Sequence, residues 1–137
     1  MKKTLILILI VFSLTACNKL EKQIEGDWAI DQAYINDEPV IWDLFHNGLF
    51  LEKDKTCKLP IIDYTYRGSN QEKGTWTVFK ENGGRYLQIS SENTLFSRVF
   101  EVQDLYEVMD ERSWGYLLKM TLVSDTLKFD CTKALYK

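Results

Sequence analysis

The sequence predicts an all-β domain, an antiparallel meander closed into a barrel or folded as a sandwich. Three observations carry this reading. Short runs rich in β-branched and aromatic residues recur from Trp28 to Cys131, about eight of them, or one more if Leu105 to Met109 stands alone. Tight-turn chemistry separates them, at Asn36-Asp37, Lys53-Asp54-Lys55, Asn82-Gly83-Gly84 and Ser124-Asp125. No helical period long enough for βαβ crossovers lies between them.

The chain opens on a different pattern. Lys2-Lys3 is a basic head, Leu5 to Phe12 is an unbroken apolar run, and small residues follow. The run is too short to cross a hydrocarbon core of about 30 Å, which needs about 20 apolar residues. Residues 1–16 therefore read as a signal peptide cut between Ala16 and Cys17, with an uncut anchor helix as the alternative. Residues 17–25 read as a short polar tether, and residues 26–137 as one domain with enough apolar content for a core.

Within the domain, Trp28 to Ile35 is a predicted strand ended by Asn36-Asp37-Glu38-Pro39. Val40 to Asn47 is a dense apolar patch carrying Trp42, Leu44 and Phe45, readable as one or two helical turns. Gly48 to Glu52 is a strand. Thr56 to Ile61 alternates until Pro60, which suits an edge or a strand end. Asp63 to Glu72 is a polar loop. Gly74 to Phe79 is a strand, answered across Asn82-Gly83-Gly84 by Tyr86 to Ser90. Leu95 to Val102 is next, and Leu105 to Met109 either continues it past a bulge or stands alone. Its inner face is predicted to carry Leu95, Val99 and, after a register shift, Val102. The opposite choice would aim Arg98 inward among Phe96 and Phe100, as an anchor for an anionic ligand head. Gly115 to Val123 and Thr126 to Cys131 close the meander.

Charge excludes some partners. Lys+Arg number 17 against 20 Asp+Glu, and Lys2 and Lys3 leave with the signal. An acidic domain lacks the basic footprint that nucleic acid demands. It also gains nothing from docking on anionic lipid by charge alone.

Leu14-Thr15-Ala16-Cys17 resembles the lipobox of bacterial lipoproteins. That resemblance implies a diacylglyceryl group on the Cys17 sulfur, cleavage before Cys17, and a third chain, such as palmitate, on the new amine. One acyl chain binds marginally, at about 0.8 kcal/mol per buried CH₂, and three would hold essentially permanently. It places the protein in the cell envelope, anchored to the outer membrane. No clear acidic run follows in Asn18-Lys19-Leu20-Glu21-Lys22, which favours a periplasm-facing location over the cell surface.

Gly26-Asp27-Trp28 matches the glycine-x-tryptophan pattern at the start of lipocalins. Leu51 to Cys57 resembles their second hairpin. Leu118-Lys119-Met120, Ser124-Asp125 and Cys131-Thr132-Lys133 resemble their last two strands. Placed behind a lipobox, the chain is similar to bacterial lipocalin-like lipoproteins. The resemblance implies an eight-stranded up-and-down barrel, just wide enough for packed side chains or one small ligand. Classical lipocalins stack an arginine on the first-strand tryptophan. Here no arginine follows the last strand, but Lys133 does, and a lysine over an indole face can take that place.

Cys57 and Cys131 lie on apolar faces, and export leaves them an even pair. One reading is a disulfide closing a loop of about 75 residues, worth roughly 4 kcal/mol. The other is two buried thiols acting as small hydrophobes. His46 is the only histidine and has only Asp43 near it in sequence, so it reads as a loop residue rather than a metal ligand or catalytic base. No metal, cofactor or catalytic group is expected. Trp28, Trp42, Phe45 and Trp76 are the candidate ligand contacts. The leading function class is a non-enzymatic module binding a small apolar or amphipathic ligand; the alternative is a structural or inhibitory lipoprotein whose filled barrel contacts another envelope protein. An interior cavity of about 300 Å³ or more would favour the first.

Overall fold

The computed structural model describes residues 18–40, 46–61 and 72–135. A short helix, α1, covers residues 18–24. Nine strands follow: β1 (Gly26–Ile35), β2 (Glu38–Pro39), β3 (Gly48–Leu51), β4 (Thr56–Lys58), β5 (Lys73–Glu81), β6 (Gly84–Ser91), β7 (Val99–Asp110), β8 (Gly115–Val123) and β9 (Leu127–Leu135). Neighbours in sequence pair antiparallel, except that β1 skips the two-residue β2 to pair with β3. The ring closes because β1 also pairs with β9, Ile30 opposite Cys131. The result is the predicted all-β, eight-stranded, up-and-down barrel, with β2 a stub hairpinned onto β1 through Tyr34 and Pro39.

Turn chemistry behaves as the sequence suggests. Asn36 and Asp37 both adopt positive φ (50° and 66°), as do Asn82 and Gly83 (48° and 79°). These are the conformations that two-residue hairpin loops require. At Lys53–Lys55, the Asp54 carboxylate accepts from both the N–H and the hydroxyl of Thr56 (2.9 and 2.6 Å). The Thr56 hydroxyl holds the Asp54 carboxyl below its usual range. The antiparallel order sorts connections into two ends. The lower end carries α1 and the β3–β4, β5–β6 and β7–β8 turns. The upper end carries the β1–β3, β4–β5, β6–β7 and β8–β9 connections.

Period-2 alternation fills the inside. Leu118, Met120 and Leu122 of β8 and Leu127, Phe129 and Cys131 of β9 point inward, as do Trp76 and Val78 of β5. Among the described residues no polar or charged residue is buried. Gly74 sits opposite Cys57 because nothing larger fits: a Cβ there would meet the Ser90 carbonyl oxygen at 2.5 Å and the Cys57 sulfur at 3.3 Å.

Three expectations are corrected. Residues 18–25 are not a free tether: residues 18–24 are helical and bury Leu20 and Ile24 against the barrel end. Leu95 to Val102 is not one strand. Residues 92–98 form a turn in which Asn93 accepts the Leu95 N–H through its side chain (2.9 Å) and the Phe96 N–H through its carbonyl (3.2 Å). β7 begins at Val99 and continues to Asp110 past a bulge at Asp104, whose φ is 41°. The inner face of β7 carries Phe100 along with the expected Val102, and Val99 faces out. Burying a phenyl ring removes more apolar surface than burying a valine, so the aromatic face wins.

Candidate functional site

The lower end is a plug built on two tryptophans. Trp28 is 1% exposed, and its indole N–H donates to the Ile24 carbonyl (2.7 Å) at the end of α1. Lys133 lies over its ring, Nζ 4.8 Å from the centroid. The same Nζ donates to the carbonyls of Gln23 (2.6 Å) and Glu25 (2.5 Å). Three carbonyls that α1 leaves unsatisfied at its C-terminus thus find donors. Burial pulls the Lys133 pKa below its ordinary value, against the opposing pull of Glu25 and Asp27. Gly26, at φ 130°, is glycine for two reasons. Its conformation disfavours a side chain, and a Cβ would meet Lys133 Cδ at 2.8 Å. Trp76 repeats the device. Its N–H donates to the Glu52 carbonyl (2.9 Å), and Lys55 sits over the ring at 4.4 Å while pairing with Glu21 of α1.

Trp28 and Trp76, expected as ligand contacts, are therefore core residues with a lysine on one ring face and an occupied N–H. Trp42 and Phe45, the other two, and the cleavage and lipidation positions Ala16 and Cys17 lie outside the described residues. His46 accepts the Gly48 N–H at Nδ1 (3.1 Å) and tilts against Phe50 at 6.0 Å. Among the described residues no cluster of three or more His, Cys, Asp or Glu is placed to hold a metal.

The Cys57–Cys131 bridge does not form: both are free, buried thiols. Register explains why. Cys57 is level with Leu51 and so with Gly26, whereas Cys131 is level with Ile30. That is about 13 Å along the strand at ~3.3 Å per residue, and β3 and β1 stand between them. A disulfide needs Cα atoms within about 7 Å. Burial pushes the Cys57 thiol up to about 11, partly offset by the Gly74 N–H. It pushes Cys131 higher still, helped by Asp31 and Asp130.

Among the described residues, three rings pack at the upper end. Phe96 is 2% exposed although it comes from the β6–β7 turn. It stacks on Phe129 at 5.8 Å, with Phe100 tilted against the same ring at 6.1 Å. The gap bounded by Ile30, Leu49, Phe96, Phe100 and Phe129 does not admit a water molecule. Arg98 does not point inward. It binds Asp125 (2.7 Å) and the Thr126 hydroxyl (2.6 Å), latching the β6–β7 turn to the β8–β9 turn.

Outside the barrel, an open groove of about 360 Å³ runs past Asp31, Asp104, Tyr106, Lys119 and Asp130. One ion pair and neighbouring hydroxyls hold Asp31, Lys119 and Asp130. Lys119 donates to Asp31 (3.2 Å) and Thr132 (2.7 Å), Thr132 bonds Asp31, and Thr121 donates to Asp130 (2.8 Å).

The β7–β8 hairpin holds what sequence reasoning missed. Met109, Trp114 and Tyr116 are 55%, 86% and 42% exposed, clustered at its tip, with Met109 directly opposite Tyr116. In the sequence, Trp114 counts only as one aromatic among many. The signal available was its position between Ser113 and Gly115 in a turn, where no core face exists. Comparison of the chain with protein-family models, curated proteins and solved structures finds no match.

Proposed function

We propose that this protein is a non-enzymatic, lipid-anchored barrel of the lipocalin-like lipoprotein kind. It is held through Cys17 in the periplasm-facing leaflet of the outer membrane, and its filled barrel acts as a scaffold for contacts with other envelope components. The observation that carries the scaffold half is the gap between Phe96, Phe100 and Phe129, in the described part of the interior: it has no room for a water molecule, where a ligand pocket takes ~300 Å³. The lipobox and the basic-apolar leader support the anchor. The Gly26-x-Trp28 opening with Lys133 over the indole supports the lipocalin-like build.

A second reading, a small apolar ligand inside the barrel, draws on one observation. Phe96 is delivered by a turn rather than by a strand, so its departure would vacate a ring-sized space at the upper end without breaking a strand pair. Titration of delipidated protein with fatty acids and lipid extract, followed by tryptophan emission, separates the two. No saturable change is expected. A saturable change lost in Phe96→Trp, which enlarges the stopper, would establish the ligand reading. The anchor is tested by intact mass: acyl chains on a chain beginning at Cys17 are expected, and an unacylated mature chain would refute it.

A further inference from the structure

We infer that the tip of the β7–β8 hairpin is a second membrane contact, seating the lower end of the barrel on the lipid bilayer through Met109, Trp114 and Tyr116. The inference rests on the anchored reading above and adds to it an orientation and a contact surface.

Four observations converge. The first is cost. Trp114 is 86% exposed and has a φ of 54°, in the left-handed region that a bulky side chain rarely enters. Strain and exposure together in one residue, with no compensating burial in the barrel, point to a role outside the fold. The second is presentation. Asp110 accepts from the Arg112 N–H (3.2 Å) and the Ser113 hydroxyl (2.7 Å), so the turn that carries Trp114 is tied down. The Ser113 hydroxyl holds the Asp110 carboxyl below its usual range. A tied turn presents its aromatic without further ordering cost on binding.

The third is projection. β6 accompanies β7 only as far as Glu101, whereas the β7–β8 pairing runs on to Asp110 and Gly115. On that side the hairpin outruns β6 by roughly 20 Å along the strand direction, at ~3.3 Å per residue; on the other side β9 accompanies β8 down to Tyr116, opposite Leu135, so the β7 edge and the turn carrying Trp114 are what stand clear. The fourth is place. The tip and α1 share the lower end. Asn18, the first described residue, is one peptide bond from Cys17, and Leu20 and Ile24 pin α1 to the barrel. An acylated Cys17 would have no slack: it would hold the lower end at the membrane surface, with the projecting tip facing the same way.

Trp and Tyr suit that depth, since amphipathic rings collect at the level of lipid headgroups. Glu107, Asp110 and Glu111 against Arg112 make the tip acidic. Anionic lipid is thus no attraction, and the contact would be apolar and insensitive to salt.

The test uses the full acylated protein reconstituted in phosphatidylcholine vesicles containing lipids brominated near the headgroup. Wild-type emission should be quenched by about one tryptophan's share of the four, at low salt and in 1 M NaCl alike. Trp114→Phe should abolish that share while still floating with the vesicles. Equal quenching of wild type and Trp114→Phe, in protein whose mass carries the acyl chains, would overturn the inference and leave the anchor standing. Protein that neither floats nor carries acyl chains would overturn the anchored reading, and this one with it. Shielding of Trp114 from acrylamide in native envelopes, without quenching by brominated lipid, would assign the tip to a protein partner instead.

Discussion

Trp28 and Trp114 stand at the same end of the same barrel and are used in opposite ways. Trp28 is 1% exposed, its N–H is bonded to Ile24 and its ring is roofed by Lys133. Trp114 is 86% exposed on a strained turn residue. The first is held by every neighbour the fold supplies, and the second by none of the core. The difference teaches that aromatic content does not mark a binding site by itself. In this barrel the buried indoles close the fold, and the residue with something left to bind is the one the fold does not need.

Breaking the first half of the comparison should give the largest effect. Trp28→Ala removes a large buried ring, leaves a cavity beneath Lys133 and strips the Ile24 carbonyl of its donor. A loss of about 3–5 kcal/mol is expected, read as a fall in thermal or denaturant midpoint. A loss below about 1 kcal/mol would show that α1 does not depend on Trp28.

The thiols sharpen the contrast between sealed and exposed regions. The Cys57 pKa is raised from 9.0 to about 11 by burial. A raised acid favours the folded state below its unfolded pKa, so its contribution is intact below pH 9 and is lost as pH climbs towards 11, on the order of 2 kcal/mol. Denaturation at pH 8 and pH 11 measures this, with Cys57→Ala as the control. Native protein should resist alkylation at both Cys57 and Cys131, and both should react on unfolding. A fast-reacting thiol in the native state would mean the barrel opens.

A smaller effect isolates the lysine roof. Lys133→Met keeps a flexible chain over Trp28 and beside Gly26, but loses the donors to Gln23 and Glu25. Because Nζ is partly solvated, about 1 kcal/mol is expected, with fraying of α1 seen as faster amide exchange at residues 18–24. Unchanged exchange there would reassign the hold on α1 to Leu20 and Ile24 alone.

Much of this plan is legible in the sequence. The alternation in Gly115 to Val123 becomes β8 with Leu118, Met120 and Leu122 inside, and the Asn82-Gly83 hairpin forms where its φ preferences say. Lys133 takes the place over Trp28 because it is the cation that follows the last inward residue, Cys131, on β9. Other features were hidden for physical reasons. α1 offers two apolar residues, Leu20 and Ile24, one turn apart, too few for a helical period amid charges. Phe96 looks like a strand residue because a ring can be buried equally well from a turn. The cysteines share apolar faces, but whether they meet depends on register around the barrel, which spacing along the chain does not encode. Trp114 breaks the rule that large apolar residues go inside, so a reading built on that rule passes over it.

The smallest expected effect is the most diagnostic, because its sign reverses. Trp114→Ala removes a mostly exposed indole and keeps the positive φ, so stability should stay within about 0.5 kcal/mol of wild type. Trp114→Gly removes the same indole and also relieves the left-handed conformation, which costs a side-chain-bearing residue roughly 1–2 kcal/mol. Glycine's extra freedom in the unfolded chain takes back about half of that. A net gain of up to about 1 kcal/mol over wild type follows, together with loss of lipid quenching in vesicles. A variant that is more stable yet fails at the membrane would mean that Trp114 is kept at the fold's expense. A Trp114→Gly protein destabilised as Trp28→Ala should be would mean that the indole holds the turn, and the two tryptophans would then differ only in exposure.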